Sequence, residues 1–135
     1  MPREHHPSPR GRILLVEDDP DTARFISSVL EKRGGYQVEH APSPPAALPR
    51  LDAERWDLII TDIEMPQIDG FAFAAAARAM PAAADIPIIA LSAMVSAETI
   101  ERGRAAGFHD FVAKFDRAGL VAAIKEQSTE LDRAA

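Results

Sequence analysis

Three short apolar runs in this chain each stop on an acid or a hydroxyl, and a fourth segment stops on a lysine. Arg12–Val16 runs into Glu17, Asp18 and Asp19, and Leu58–Thr61 runs into Asp62. Ile86–Leu91 runs into Ser92, and Phe111–Ala113 runs into Lys114. A run that is apolar at every position, not at every second one, reads as a strand covered on both faces, as in a parallel sheet. The segments between the runs carry helical spacing instead. Phe25, Ile26, Val29 and Leu30 recur on one face of a helix over Pro20–Arg33, and Gly34–Gly35 stops it. Phe71–Met80 and Ser96–Ala106 read as further helices, and Asp116 caps a last one to about Leu131. Tyr36–His40 and Asp110–Ala113 add two short strands. Five strands alternating with five helices make an α/β fold, a doubly wound parallel sheet.

One helix conflicts with its own sequence. Ser43 can cap a segment within Ala41–Arg55 with Pro44 in the first turn, but Pro49 then removes an interior donor. A short, kinked or displaced helix is expected there. Residues 1–11 are polar and Pro-rich, and read as a tail containing His5 and His6. They lack the apolar stretch of a signal peptide. The domain is expected over residues 12–131, with a C-terminal tail over 132–135.

Composition narrows the chemistry. The chain has no cysteine, which removes disulfides and thiolate metal sites and fits a reducing, cytoplasmic setting. Its net charge of −6 argues against nucleic acid or an anionic membrane surface as partner. In open α/β sheets, sites form at the C-terminal strand ends. Four such ends meeting in space would place Glu17, Asp18, Asp19 and Asp62 together, with Ser92 and Lys114 beside them. Clustered carboxylates repel each other, and Mg²⁺, which takes one or two carboxylates plus phosphate oxygens, relieves that repulsion. An aspartate can also act as nucleophile and form an acyl phosphate. Taken singly, each residue has a plainer role: Asp18 or Asp19 as helix cap before Pro20, Asp69–Gly70 as turn chemistry, Ser92 and Lys114 as surface groups.

The motifs RILLVEDDP, DLIITDIEMPQIDGF, IPIIALSA and AAGFHDFVAK, in this order and spacing, resemble the receiver domain of two-component response regulators from Arg12 to about Glu130. The resemblance implies a flavodoxin-like sheet with strand order 2-1-3-4-5. It implies Asp62 as phosphoacceptor, Asp18 as direct Mg²⁺ ligand, Glu17 as a ligand through water, and the Glu64 carbonyl as another ligand. Ser92 and Lys114 would contact the phosphoryl group, and Phe111 would be the aromatic switch; as a plain alternative, Phe111 is a core aromatic. The implied partners are a sensor histidine kinase or phosphotransfer domain and a downstream protein, the latter on the face of the fourth helix, fifth strand and fifth helix.

One position departs from the family pattern. The family has proline after the pocket lysine, joined through a cis bond; here the sequence is Lys114–Phe115–Asp116. A non-proline cis bond costs about 2.5–4 kcal/mol, so a trans bond is expected, with Phe115 near the last helix. The same stretch resembles receivers of chemotaxis-type hybrid histidine kinases, so the chain reads either as a stand-alone regulator or as part of such a kinase. The Glu64 side chain, two residues beyond Asp62, is expected to affect phosphate hydrolysis. Two enzyme readings compete: a Mg²⁺-dependent phosphatase using the same pocket, and a metal-dependent nucleic-acid enzyme. The first expects its nucleophile after the first strand, whereas the best nucleophile here follows the third, and a cap insertion for which no segment is long enough; the second expects a basic face, and the charge is acidic. A degenerate receiver is a third alternative, and the full set Glu17, Asp18, Asp62, Ser92 and Lys114 argues against it.

Overall fold

Strands that are apolar on both faces need cover on both faces, and here each strand is followed by a helix that supplies it. A computed structural model describes residues 11–65, 69–93 and 95–134, with side chains through 127. The elements run β1 Arg12–Val16, α1 Pro20–Val29, β2 Gln37–Ala41, α2 Pro44–Ala53, β3 Leu58–Asp62, α3 Gly70–Arg78, β4 Ile88–Ser92, α4 Ala97–Ala106, β5 Asp110–Ala113 and α5 Arg117–Ala134. All pairings are parallel, in the order β2-β1-β3-β4-β5. This is the expected doubly wound, flavodoxin-like fold. No cap-sized insertion breaks the alternation among the described residues.

Every residue of β3 and β4 is buried, while the edge strands β2 and β5 are only partly so. Successive side chains point to opposite faces. Leu14, Val16, Ile59, Ile88 and Ala90 face α2 and α3, where Ala47, Leu51, Phe73 and Ala77 close the core. Ile13, Leu15, Ile60, Ile89 and Leu91 face α1 and α5, meeting Ala23, Ile26, Leu120 and Ile124. Each fully buried side chain of this size contributes about 1.5–3 kcal/mol relative to exposure. The strand ends are therefore fixed from both sides.

The expected elements occur, with shifted ends. Strands β2, β3 and β4 each end one residue later than the sequence pattern suggests. Asp62 and Ser92 are thus the last strand residues, paired in register with Leu91 and Ala113, and not the first loop residues. The helix expected over Pro20–Arg33 is α-helical only to Val29; Leu30–Gly34 form a π turn, which Gly35 ends in the left-handed region at φ 71°. Helix α2 is trimmed to Pro44–Ala53 yet keeps its place on the sheet, with Ala47 and Leu51 buried despite Pro49 inside it. Most of the C-terminal tail expected over 132–135 is helix instead, since α5 runs to Ala134. The N-terminal tail to residue 10, with His5 and His6, lies outside the described residues.

Candidate functional site

All the polar strand ends singled out in the sequence lie along the C-terminal edge of the sheet. Glu17 follows β1 and is held in place by its own backbone, whose N–H donates to the Ala41 carbonyl at 3.1 Å. Its Oε2 accepts from the Asp19 amide at 3.2 Å. Asp19 is the N-cap of α1, accepting from the Asp21 and Thr22 amides and from the Thr22 hydroxyl at 2.6 Å. Asp19 thus serves the helix and leaves the pocket to its neighbours. Carboxylate oxygens of Glu17, Asp18 and Asp62 lie within 4.8 Å of one another. Glu17 and Asp62 are both 0% exposed, and Asp18 is open to solvent.

Lys114, just past β5, supplies the positive charge. Its Nζ stands 2.8 Å from Asp62 Oδ2 and 3.5 Å from Glu17 Oε1. Its backbone N–H donates to the Ser92 carbonyl at 3.1 Å, which ties the loop after β5 to the end of β4. One ammonium serves two buried acids, and neither Glu17 Oε1 nor Asp62 Oδ2 accepts a well-aligned hydrogen bond. Burial pushes the Glu17 carboxyl up to about 7, against a helpful amide from Asp19. Burial raises Asp62 too, and Lys114 only partly offsets it. Burial disfavours the charge on Lys114, but Asp62 and Glu17 outweigh that and raise its pKa. Two crowded, under-satisfied carboxylates and one exposed acid make a donor set that fits a hard dication such as Mg²⁺.

Ser92, 1% exposed, reaches the Glu64 side chain. Its hydroxyl donates to Glu64 Oε2 at 2.9 Å, and the Ala93 amide donates to Glu64 Oε1 at 3.3 Å. The Glu64 amide donates in turn to Asp62 Oδ1 at 3.1 Å. Phe111 is half-buried at the edge of the core. Its ring meets Phe108 edge-on at 5.7 Å and fills the space left by the missing side chain of Gly103, where a Cβ would fall 2.2 Å from it. Lys114–Phe115 is trans, there being no cis peptide among the described residues. Phe115 lies two residues before the start of α5, but its ring packs at 5.8 Å on Phe25 of α1 and is 66% exposed.

Two contributors, Gly70 and His40, and one contact of Glu64 escaped the sequence reading. Gly70 is the first residue of α3, and a Cβ there would come within 2.6 Å of the Asp62 carbonyl and 2.8 Å of Ile63 Cα. Its amide donates to the Ile63 carbonyl at 2.9 Å. In the sequence, Asp69–Gly70 showed only as a turn, which hides this close approach to the Asp62 segment. The Glu64 side chain was expected beside the phosphate, but its contact with Ser92 at the end of β4 is one that no spacing reveals. His40 Nε2 lies 2.6 Å from the Glu17 carbonyl and so buttresses the first acid from β2.

The geometry agrees with what this chain is similar to. The response regulator receiver domain model matches residues 13–125. A gliding motility regulatory protein of Myxococcus xanthus is 40% identical over 78% of this chain, which spans only 13% of that longer protein. A chemotaxis protein of Vibrio cholerae, CheY4, has a solved structure that superposes with a TM-score of 0.80 at 30% identity, covering 85% of this chain and 96% of that one. The receiver domain of a sensor histidine kinase from Pseudomonas aeruginosa PAO1, solved with a magnesium ion coordinated in its active site cleft, superposes with a TM-score of 0.79 at 32% identity over 88% of this chain and 98% of that one. With matching motifs, strand order and site-bearing edge, this chain belongs to the receiver domain family of response regulators.

Proposed function

We propose that this domain accepts a phosphoryl group on Asp62 from a phosphohistidine and passes the signal on through a protein-binding face. The observation that carries the reading is the Asp62 carboxylate: buried, 2.8 Å from the Lys114 ammonium, and within reach of two further acids. A carboxylate oxygen of Asp62 attacks phosphorus, the bond from phosphorus to the donor nitrogen breaks, and the electron pair leaves with the nitrogen. Such transfer depends on positioning and charge neutralisation more than on covalent help. Lys114 would neutralise one phosphoryl oxygen, and Ser92 would donate a hydrogen bond to another.

Glu17, Asp18, Asp62 and the Glu64 carbonyl would hold Mg²⁺, as the magnesium-bound kinase receiver supports by similarity. When bound, Mg²⁺ supplies charge neutralisation for the phosphoryl oxygens. The residues themselves fix the acids on rigid strand ends and keep Lys114 aimed between them. The domain is then a signalling module that modifies itself and does not turn over a substrate. A phosphoryl dianion on Asp62 draws in Ser92 and Lys114, and Phe111 relays the change to the surface of α4, β5 and α5. The partners are a histidine kinase or phosphotransfer domain upstream and a protein downstream, in the cytoplasm. No helix among the described residues is long and apolar enough to cross a membrane. Relatives include both a chemotaxis protein and a histidine kinase receiver, and the proposal holds for this domain in either setting.

The reading predicts that phosphate uptake from phosphoramidate, a small donor with the same P–N bond, stops in EDTA and returns when excess Mg²⁺ is added. Uptake at an unchanged rate in EDTA would remove the metal from the account.

A further inference from the structure

We infer that the Glu64 side chain is a built-in competitor of the phosphoryl group, occupying the two donors at the end of β4 until phosphorylation displaces it. The inference rests on Asp62 as phosphoacceptor and concerns what regulates that same site. The Ser92 hydroxyl at 2.9 Å and the Ala93 amide at 3.3 Å both point at one carboxylate, each donor taking a separate oxygen. A carboxylate bridging two donors in this way is a small anion bound in an anion site. The site adjoins the nucleophile, because the Glu64 amide donates to Asp62 Oδ1 and Ser92 lies in the strand paired with β3. A phosphoryl group on Asp62 would need donors on this same side of the pocket.

Glu64 cannot share those donors with a dianion. Its negative charge sits two residues from Asp62, where an added dianion would repel it. Unlike Glu17 and Asp62, Glu64 is exposed, so its side chain has somewhere to go. It lines an open cleft together with Asp69, Glu98, Thr99 and Arg102. Arg102, on α4, stacks on the Phe71 ring at 4.1 Å and lies 3.9 Å from Asp69 at an exposed position. The open cleft therefore gives the released side chain room beside Arg102 of α4, among the acids Asp69 and Glu98. Glu64 thus raises the threshold for the phosphorylated state.

The test measures beryllofluoride binding, with Mg²⁺, to the parent, Glu64→Gln, Glu64→Ala and Asp62→Asn proteins by titration calorimetry. Glu64 is exposed, so the variants keep the fold. The expected result is that Glu64→Ala binds about tenfold more tightly, the worth of one to two hydrogen bonds no longer exchanged, with Glu64→Gln between it and the parent. In the ligand-free parent, the Ala93 amide proton resonance should lie downfield of its position in Glu64→Ala. Equal or weaker binding by Glu64→Ala overturns the inference, as does an unmoved Ala93 resonance. A parent that fails to bind, or an Asp62→Asn protein that binds as the parent does, overturns the phosphoacceptor reading and this inference with it.

Discussion

Lys114→Met should lower the unfolding free energy of the metal-free domain by about 3 kcal/mol. The reason is the two oxygens that Lys114 faces. Glu17 and Asp62 are fully buried, their carboxylates crowd each other, and the ammonium at 2.8 and 3.5 Å is the cation that compensates them. Removing one partner of a buried ion pair costs about 3–5 kcal/mol because the remaining charge has lost its compensation. The lower end applies because Lys114 is partly exposed, at 17%, and water screens what it leaves. Methionine keeps the length of the side chain, so packing changes little. Urea unfolding in EDTA at mildly alkaline pH, where both acids are ionised in the unfolded chain, measures the loss. Excess Mg²⁺ should narrow the gap by replacing the missing charge. A variant as stable as its parent in EDTA would mean that the acids are not held as charges by Lys114.

Gly70→Ala should slow phosphate uptake by about 100-fold, with a stability loss of about 1–3 kcal/mol. A Cβ at this position would meet the Asp62 carbonyl at 2.6 Å and Ile63 Cα at 2.8 Å. Both are main-chain atoms at the end of a fully buried strand, so neither side of the contact has a flexible group to yield. Overpacking of this kind typically costs about 1–3 kcal/mol. The larger effect is on geometry, since the strand end that moves is the one carrying Asp62, and a shift of about 1 Å in a reacting group can cost roughly 100-fold. The measurement is a time course of phosphate incorporation from phosphoramidate, run at a temperature where circular dichroism shows the variant folded. A rate within twofold of the parent would show that the Asp62 segment tolerates displacement.

Much of the fold was legible because its code is local. Continuous apolar runs in β1, β3 and β4 mark strands covered on both faces, and Asp19, Ser43, Ser96 and Asp116 stand where helix caps belong. The exact ends were not legible. Ladder pairing with a neighbouring strand, and not the chain's own hydrophobicity, carries Asp62 and Ser92 into the sheet. Pro49 lies inside the shortened α2, where tertiary packing of Ala47 and Leu51 outweighs one missing helical hydrogen bond.

The pocket acids and Lys114 were legible because strand ends of a doubly wound sheet converge. The contacts of Glu64, Gly70 and Gly103 were not, since each depends on how closely two loops or helices approach. Phe115 shows both sides of this. The absence of proline correctly points to a trans bond, but the partner of its ring, Phe25, is set by the packing of α1 beside the pocket.

The central claim is that Asp62 receives the phosphoryl group, and intact-mass spectrometry after incubation with phosphoramidate and Mg²⁺ tests it most directly. The account predicts a gain of one phosphoryl group on the parent and none on Asp62→Asn, in which the nucleophilic carboxylate is replaced by an amide of nearly the same shape. Equal phosphate on the Asp62→Asn protein would contradict it.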